Sequence, residues 1–223
     1  MNYDDLPSPS DRGVLIYSGG MDSTTLLYES LPSIALCLSF NYGSKHNARE
    51  LLYAKRNCAL LNIPHKVVEL PFIAELFRSD LLLSGGPVPD GEYSRESLKS
   101  TVVPFRNGIM LSIAAGVAES HELSFAIFAN HGGDHEIYPD CRPAFVSQMN
   151  AAIREGSGGK VKLLAPYTQL DKRAIALRGK TLGVDFSQSW SCYKGLEIHC
   201  GVCSTCKERR KALEGFDPTR YSE

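Results

Sequence analysis

The stretch Ser18-Gly19-Gly20-Met21-Asp22-Ser23 joins an apolar run at residues 14–17, ending in Tyr17, to Thr24-Thr25-Leu26-Leu27, an order that reads strand, tight loop, helix. Adjacent glycines let a backbone turn sharply and present N–H groups to an anion, and a helix behind them adds unpaired donors and a positive dipole end. The chemistry implied is phosphate binding. No lysine follows the glycines, so the stretch is neither G-x-x-x-x-G-K-[ST] nor G-x-G-x-x-G. A serine-rich N-cap on an ordinary helix is the plain alternative, and the strand-to-helix setting weighs against it.

A second constellation is Cys192, Cys200, Cys203 and Cys206, spaced C-x7-C-x2-C-x2-C, with Gly201 placed for a tight turn. Four thiolates make a closed tetrahedral zinc site with no open position for water or substrate, so its role is structural. The spacing also fits an iron–sulfur cluster. Cys37 and Cys58 fall in apolar periodic segments and read as core, whereas Cys141 sits among polar residues.

Three further stretches concentrate polar chemistry. Arg106 and Asn107 precede a helical pattern, at its positive end, a place suited to holding an anion or a nucleobase edge. Asn130-His131-Gly132-Gly133-Asp134 ends an apolar run and leads through His135 to Tyr138-Pro139-Asp140-Cys141-Arg142. Asp171 and Lys172 stand at a helix start beyond another apolar run. The plain reading of Asp140 and Arg142 is a structural salt bridge at a turn, and of His131 and His135, surface groups.

Something must hold these groups together. Apolar runs at 14–17, 33–40, 66–70, 124–129 and 161–164 alternate with helical spacing after the glycine loop, at 48–61 and at 111–118. That alternation predicts an α/β protein, a doubly wound parallel sheet with its ligand crevice at the carboxyl ends of the strands. Residues 79–103 break the period and read as a long loop, either a mobile lid or a surface insertion. From residue 187 the composition turns to cysteine, glycine and charge, so the expected division is a nucleotide-binding α/β domain over residues 1–186 and a small zinc-binding C-terminal subdomain over residues 187–223.

With 43% apolar residues in 223, the chain has ample material for a core. A net charge of -1 argues against a protein whose affinity comes chiefly from nucleic-acid phosphates. The acidic start and the lack of a long apolar run predict neither signal peptide nor membrane span, and crowded cysteines, odd in number, suit a metal site in a reducing compartment. The expected location is the cytoplasm.

S-G-G-x-D-S resembles the pyrophosphate loop of enzymes that split ATP between its α and β phosphates. Taken with V-P-x-R-N, D-x-x-x-Y-P-D-C-R, W-S-C-Y and H-C-G-x-C-x-x-C in this order, the chain resembles the 7-cyano-7-deazaguanine synthase (QueC) family of queuosine biosynthesis over nearly its whole length. The resemblance implies an adenine-nucleotide α-hydrolase-like fold, a homodimer and a ligase acting on 7-carboxy-7-deazaguanine. ATP adenylates the carboxylate, ammonia displaces AMP to give an amide, and a second ATP drives dehydration to the nitrile, with magnesium accompanying ATP. It assigns Tyr17 to Leu27 to ATP, Asp22 to magnesium, and Lys172 to the leaving group. Arg106, Asn107, Asp134, Tyr138, Asp140 and Arg142 fall to substrate recognition, with Asp134 and Arg142 also expected near the chemistry. In that assignment a carboxylate reads the guanine-like amidine edge and an arginine pairs the substrate acid.

Three positions depart from the family pattern. Phe105 stands where glycine is frequent, which predicts an altered pocket wall; Ala129 replaces another frequent glycine; the first dozen residues match nothing. Two competing readings share the loop. A related ligase would deliver the activated acid to another amine and stop at an amide. A tRNA sulfur-transfer enzyme would need a basic groove and a free catalytic cysteine, for which Cys141 is the candidate. No glutamine-hydrolysing domain fits this length, so ammonia is expected to enter free.

Overall fold

The structure, a computed structural model, describes residues 5–91 and 99–222. Five strands, β1 (Gly13–Ile16), β2 (Ile34–Asn41), β3 (His65–Glu69), β4 (Phe125–Ile127) and β5 (Lys162–Leu164), form one parallel sheet in the order β3-β2-β1-β4-β5. Every pairing is parallel. Each expected strand is present, displaced at its ends by no more than a few residues. The α-helices that lie wholly among the described residues are α1 (Met21–Glu29), α2 (Asn47–Leu60), α3 (Pro71–Leu76), α4 (Arg106–Ser120), α5 (Pro143–Gly156), α6 (Lys172–Thr181) and α7 (Ser204–Ala212).

Strand alternation builds two cores. Val14, Leu38, Ala126 and Leu163 face one side, where Leu111, Ala114 and Ala118 of α4 and Val146 of α5 cover them. Their strand neighbours Leu15, Cys37, Ile127 and Leu164 face the other, against Leu26 and Leu27 of α1, Cys58 of α2 and Ile175 of α6. Both faces are therefore buried, which is why these strands read as continuous apolar runs. Strand order reverses at β1, so the crevice beyond the carboxyl ends of β1 and β4 is the topological switch point.

The C-terminal segment is not a detached lobe. Trp190, Cys192, Cys200, Cys203 and Cys206 belong to the same apolar cluster as Val14, Leu38 and Leu111. Arg209 of α7 is fully buried and donates to the hydroxyls of Ser189, Ser191 and Thr219 and to the Phe186 carbonyl, fastening the helix to the stretch that precedes the cysteines. Of the long loop expected at 79–103, residues 92–98 lie outside the described residues. The described part before them is tied down, for Lys45 Nζ donates to the carbonyls of Asp80 (2.7 Å), Leu82 and Gly86 (2.9 Å). No described helix is long and apolar enough to cross a membrane.

Candidate active site

The glycine loop leaves β1 with Gly19 at φ +78°, where a Cβ would stand 2.6 Å from the Glu50 carbonyl oxygen and 2.8 Å from the Ala54 nitrogen. Only glycine allows the loop to lie this close to α2. The turn is closed by side chains: the Gly20 N–H donates to Ser18 Oγ (3.1 Å), and the Ser18 and Ser23 hydroxyls share a hydrogen bond of 3.0 Å. Gly20 is the N-cap of α1 and offers no capping side chain, so the first amides of the helix keep donor capacity for an anion.

A cavity opens over this loop, lined on one side by Tyr17, Ser18, Gly20, Met21, Asp22 and Ser23. Thr24, Thr25, Leu26 and Leu27, expected with them in the ATP segment, do not line it. Their side chains turn inward: the Thr24 hydroxyl bonds to that of Tyr17 (3.1 Å), Thr25 donates to the Met21 carbonyl, and both leucines lie in the core. One helical turn past the loop, the chain has rotated toward the sheet.

Beside the loop stands a charged cluster from four separate segments. Lys172, the first residue of α6, places Nζ 3.5 Å from Asp22 Oδ2 and 3.0 Å from Glu208 Oε2 on α7. Burial alone would lower its pKa, but the carboxylates of Asp22, Glu208 and Asp134 outweigh that and hold it above the ordinary lysine value. His131 is buried and accepts the Gly133 N–H at Nδ1, which leaves Nε2 facing Asp134 (3.5 Å) and Asp22 (3.7 Å). Two of these partners, Gly133 and Asp134, are sequence neighbours, and the tertiary structure adds Asp22. Burial raises the Asp134 carboxyl, with His131 and Lys172 opposing. Asp22 Oδ1 is buried and has no hydrogen-bond partner among the described residues. An orphan carboxylate oxygen beside a glycine loop has the chemistry to meet a divalent cation.

The opposite wall is built by the β2–α2 connection and α4. Asn47 fixes the connection, its Oδ1 accepting from the Tyr42 and Ser44 amides and its Nδ2 donating to the Phe40 carbonyl. This brings Tyr42, His46 and Glu50 to the cavity, together with Arg106, Asn107 and Tyr193. Arg106 donates to the Tyr42 hydroxyl (3.1 Å), and no carboxylate among the described residues lies within ion-pair distance of it. Burial pushes the Glu50 carboxyl up to about 8, with Arg106 opposing, and takes His46 down to about 3. Sequence reasoning missed Tyr42, His46 and Glu50 and gave Tyr193 no site role; the signals available were the W-S-C-Y motif for Tyr193 and polar side chains at the start of an otherwise amphipathic helix for Glu50.

The remaining expected residues divide. Asn107 and Asp134 line the cavity, whereas Tyr138, Asp140 and Arg142 do not. Asp140 Oδ2 instead accepts the Asn107 N–H (2.9 Å), capping α4, whose N-cap residue Phe105 provides no capping bond. Arg142 is exposed and donates to the His135 carbonyl at 2.7 Å. Tyr138 is buried and close enough to Arg106 to act on it electrostatically, but it does not line the cavity. Phe105, expected to alter the pocket wall, points away from it: it is 60% exposed and meets Phe145 edge-on at 5.8 Å. Its φ of +51° accounts for glycine being favourable there. Ala129 does line the cavity.

The four sulfurs of Cys192, Cys200, Cys203 and Cys206 lie within 4.8 Å of one another. The Cys200 and Cys203 amides donate to the sulfurs of Cys192 (3.4 Å) and Cys200 (3.3 Å), the pattern that favours thiolates, so the set fits a structural zinc ion. Cys203 is also the N-cap of α7, and through that helix the cluster touches the cavity: Thr205 lines it and Glu208 holds Lys172. On its other flank the Trp190 N–H donates to the Gly19 carbonyl (2.9 Å), joining the cysteine segment to the phosphate loop.

A parallel sheet with a glycine loop, an ammonium and three carboxylates gathered at its switch point defines a nucleotide-binding α/β protein. The family is specific: a model described as queuosine biosynthesis protein QueC matches residues 12–217, and the chain belongs to that family. A protein of Porphyromonas gingivalis named 7-cyano-7-deazaguanine synthase is 55% identical over 211 residues, covering 93% of this chain and 96% of that one. Another of the same name from Desulfotalea psychrophila is 50% identical, covering 93% and 97%. A solved NMN synthetase from Francisella tularensis aligns over 84% of this chain and 69% of its own, at 15% identity and a TM-score of 0.49.

Proposed function

We propose that this chain is an ATP-dependent ligase that converts 7-carboxy-7-deazaguanine and ammonia to 7-cyano-7-deazaguanine. The observation that carries the reading is the meeting of Asp22, His131, Asp134 and Lys172 beside open loop amides, facing Arg106, which has no ion-pair partner among the described residues, across one cavity. The named relatives point to the same reaction.

The residues suit the steps. Amides of Met21, Asp22 and Ser23 and the Lys172 ammonium stabilise charge that grows on phosphate as the substrate carboxylate attacks the α-phosphorus and pyrophosphate departs. Asp22 would hold magnesium, which when bound supplies positive charge to the phosphates. Arg106 and Asn107 position the acid so that its carboxylate reaches the loop. Ammonia then attacks the activated carbonyl carbon and AMP leaves; the resulting amide loses water at the expense of a second ATP. His131, with Nε2 between two carboxylates, takes part in proton movement at this end. Cys192, Cys200, Cys203 and Cys206 would hold zinc, a structural ion, in a unit spanning residues 187–223 against a nucleotide-binding unit spanning residues 1–186.

The sulfur-transfer reading loses its nucleophile. Cys141 does line the cavity, but it is buried, its sulfur accepts from Asn107 Nδ2 (3.2 Å), and burial raises its thiol well above the usual range. Such a thiol stays protonated and unreactive. A homodimer is part of the proposal, supported by the exposed apolar side chains Phe72, Leu76 and Leu83. Cytosolic location is supported by seven unpaired cysteines.

The test is mass spectrometry on a reaction containing ATP, magnesium, ammonium and 7-carboxy-7-deazaguanine. AMP and the nitrile are expected. AMP release with another acid and none with this one would overturn the reading; an amide that never proceeds to nitrile would favour the other-amine ligase.

A further inference from the structure

Three carboxylates line the cavity: Asp22, Asp134 and Glu50. Asp22 and Asp134 belong to the Lys172–His131 cluster at the phosphate loop, and Asp140 is spent on capping α4. Glu50 alone stands at the other wall. Its Oε2 is 3.7 Å from His46 Nε2, beyond hydrogen-bond distance, and the carboxyl has no ion pair with any lysine or arginine among the described residues. Around it are flat or cationic groups: the His46 and Tyr193 rings, with centroids 5.1 Å apart, and Arg106 over the Tyr42 ring at 5.7 Å.

We propose that Glu50 reads the donor edge of the deazaguanine ring, accepting from N1–H and the 2-amino group, while neighbouring Arg106 donates to the ring carbonyl oxygen. This rests on the substrate class proposed above and moves the edge-reading role from the aspartates to α2. The chemistry is complementary: a carboxylate offers two acceptors to two adjacent donors, and the guanidinium beside it meets the adjacent acceptor. With the edge held there, the opposite side of the ring, bearing the carboxylate, is directed to the glycine loop. Without ligand the Glu50 carboxyl is desolvated and raised; two N–H donors are what settles its anionic form. An adenine edge pairs one donor with one acceptor, which an ionised carboxylate cannot match, so the assignment favours the acid over ATP.

The test is calorimetric binding of 7-carboxy-7-deazaguanine and its analogue lacking the 2-amino group to wild type, Glu50→Gln and Glu50→Asp, with ATP affinity measured in parallel. Wild type should prefer the 2-amino compound by at least about 30-fold, the scale of a lost charged hydrogen bond in a buried site. In Glu50→Gln that preference should shrink to a few-fold with ATP affinity retained and a cooperative thermal melt preserved, and Glu50→Asp should restore part of it. An undiminished preference in Glu50→Gln overturns the assignment, as does a selective loss of ATP affinity or a wild type that binds both compounds alike or neither. Base discrimination without AMP formation would instead leave the assignment standing and overturn the proposed reaction.

Discussion

Lys172 and Asp22 lie on different helices, α6 and α1, yet their charged atoms approach to 3.5 Å across the mouth of the glycine loop. The other Asp22 oxygen is buried with no hydrogen-bond partner among the described residues, and Lys172 is also held by Glu208. The pair sets one cation and one carboxylate at the loop that the proposed reaction uses for pyrophosphate.

Replacing Lys172 with methionine should lower kcat for AMP formation about 10²–10³-fold, the range for loss of one charge-stabilising group. It should also lower the melting temperature, because Asp22 and Glu208 would be left without their buried counter-charge. Lys172→Arg should recover stability better than turnover, since a planar guanidinium cannot occupy the same point. Single-turnover AMP formation and thermal melts check both.

Metal analysis should find one zinc per chain, and Cys203→Ser should lose it. Because Cys203 starts the helix that carries Thr205 and Glu208, this substitution should weaken turnover as well as fold stability. Unchanged kcat in a destabilised Cys203→Ser protein would show that α7 does not transmit its position to Lys172. Iron in place of zinc would overturn the metal assignment.

Affinity for the acid should rise with pH between about 6 and 8. The free carboxyl of Glu50 titrates at about 8, and its ionised form is the one that accepts the two ring donors, so each unit below that value costs up to tenfold. The facing groups hold their charge across this window: Arg106 is cationic, His46, lowered to about 3, is neutral, and burial holds the Tyr42 phenol above its ordinary value. The effect on stability has the opposite sense. A carboxyl raised in the folded state binds more protons there than in the unfolded chain, so stability falls as pH rises from about 4.5 to about 8. Melting curves of wild type and Glu50→Gln across this range should differ in slope.

Gly19→Ala should destabilise by about 2 kcal/mol or more, because alanine resists positive φ and its methyl would meet the α2 backbone. Phe105→Gly is the contrasting case. Relief of the left-handed strain, about 1–2 kcal/mol, offsets loss of the Phe145 contact, so stability should change little. KM for either substrate should not change, since the side chain faces away from the cavity. A shift in acid KM would restore Phe105 to the pocket wall.

Much was legible in the chain alone. Continuous apolar runs with helices between them require a sheet buried on both faces, and adjacent glycines after the first run require a loop that approaches an anion; both are local consequences of side-chain period and backbone freedom. Four cysteines within residues 192–206 meet because the chain between them is short. What lies between distant segments was decided only by packing. Asp140 and Arg142 sit in the same short stretch as Cys141, yet the turn at Pro139–Cys141 spends Asp140 on the α4 terminus and turns Arg142 outward. Glu50 gave no sign in sequence, because a glutamate in a first helical turn is ordinary; its environment arises from β2, α4 and the cysteine segment closing around it. Local chemistry determined a loop suited to a phosphate and a cysteine set suited to a metal, and tertiary structure decided which side chains face them, since burial and charge at a site are properties of all the elements that surround it.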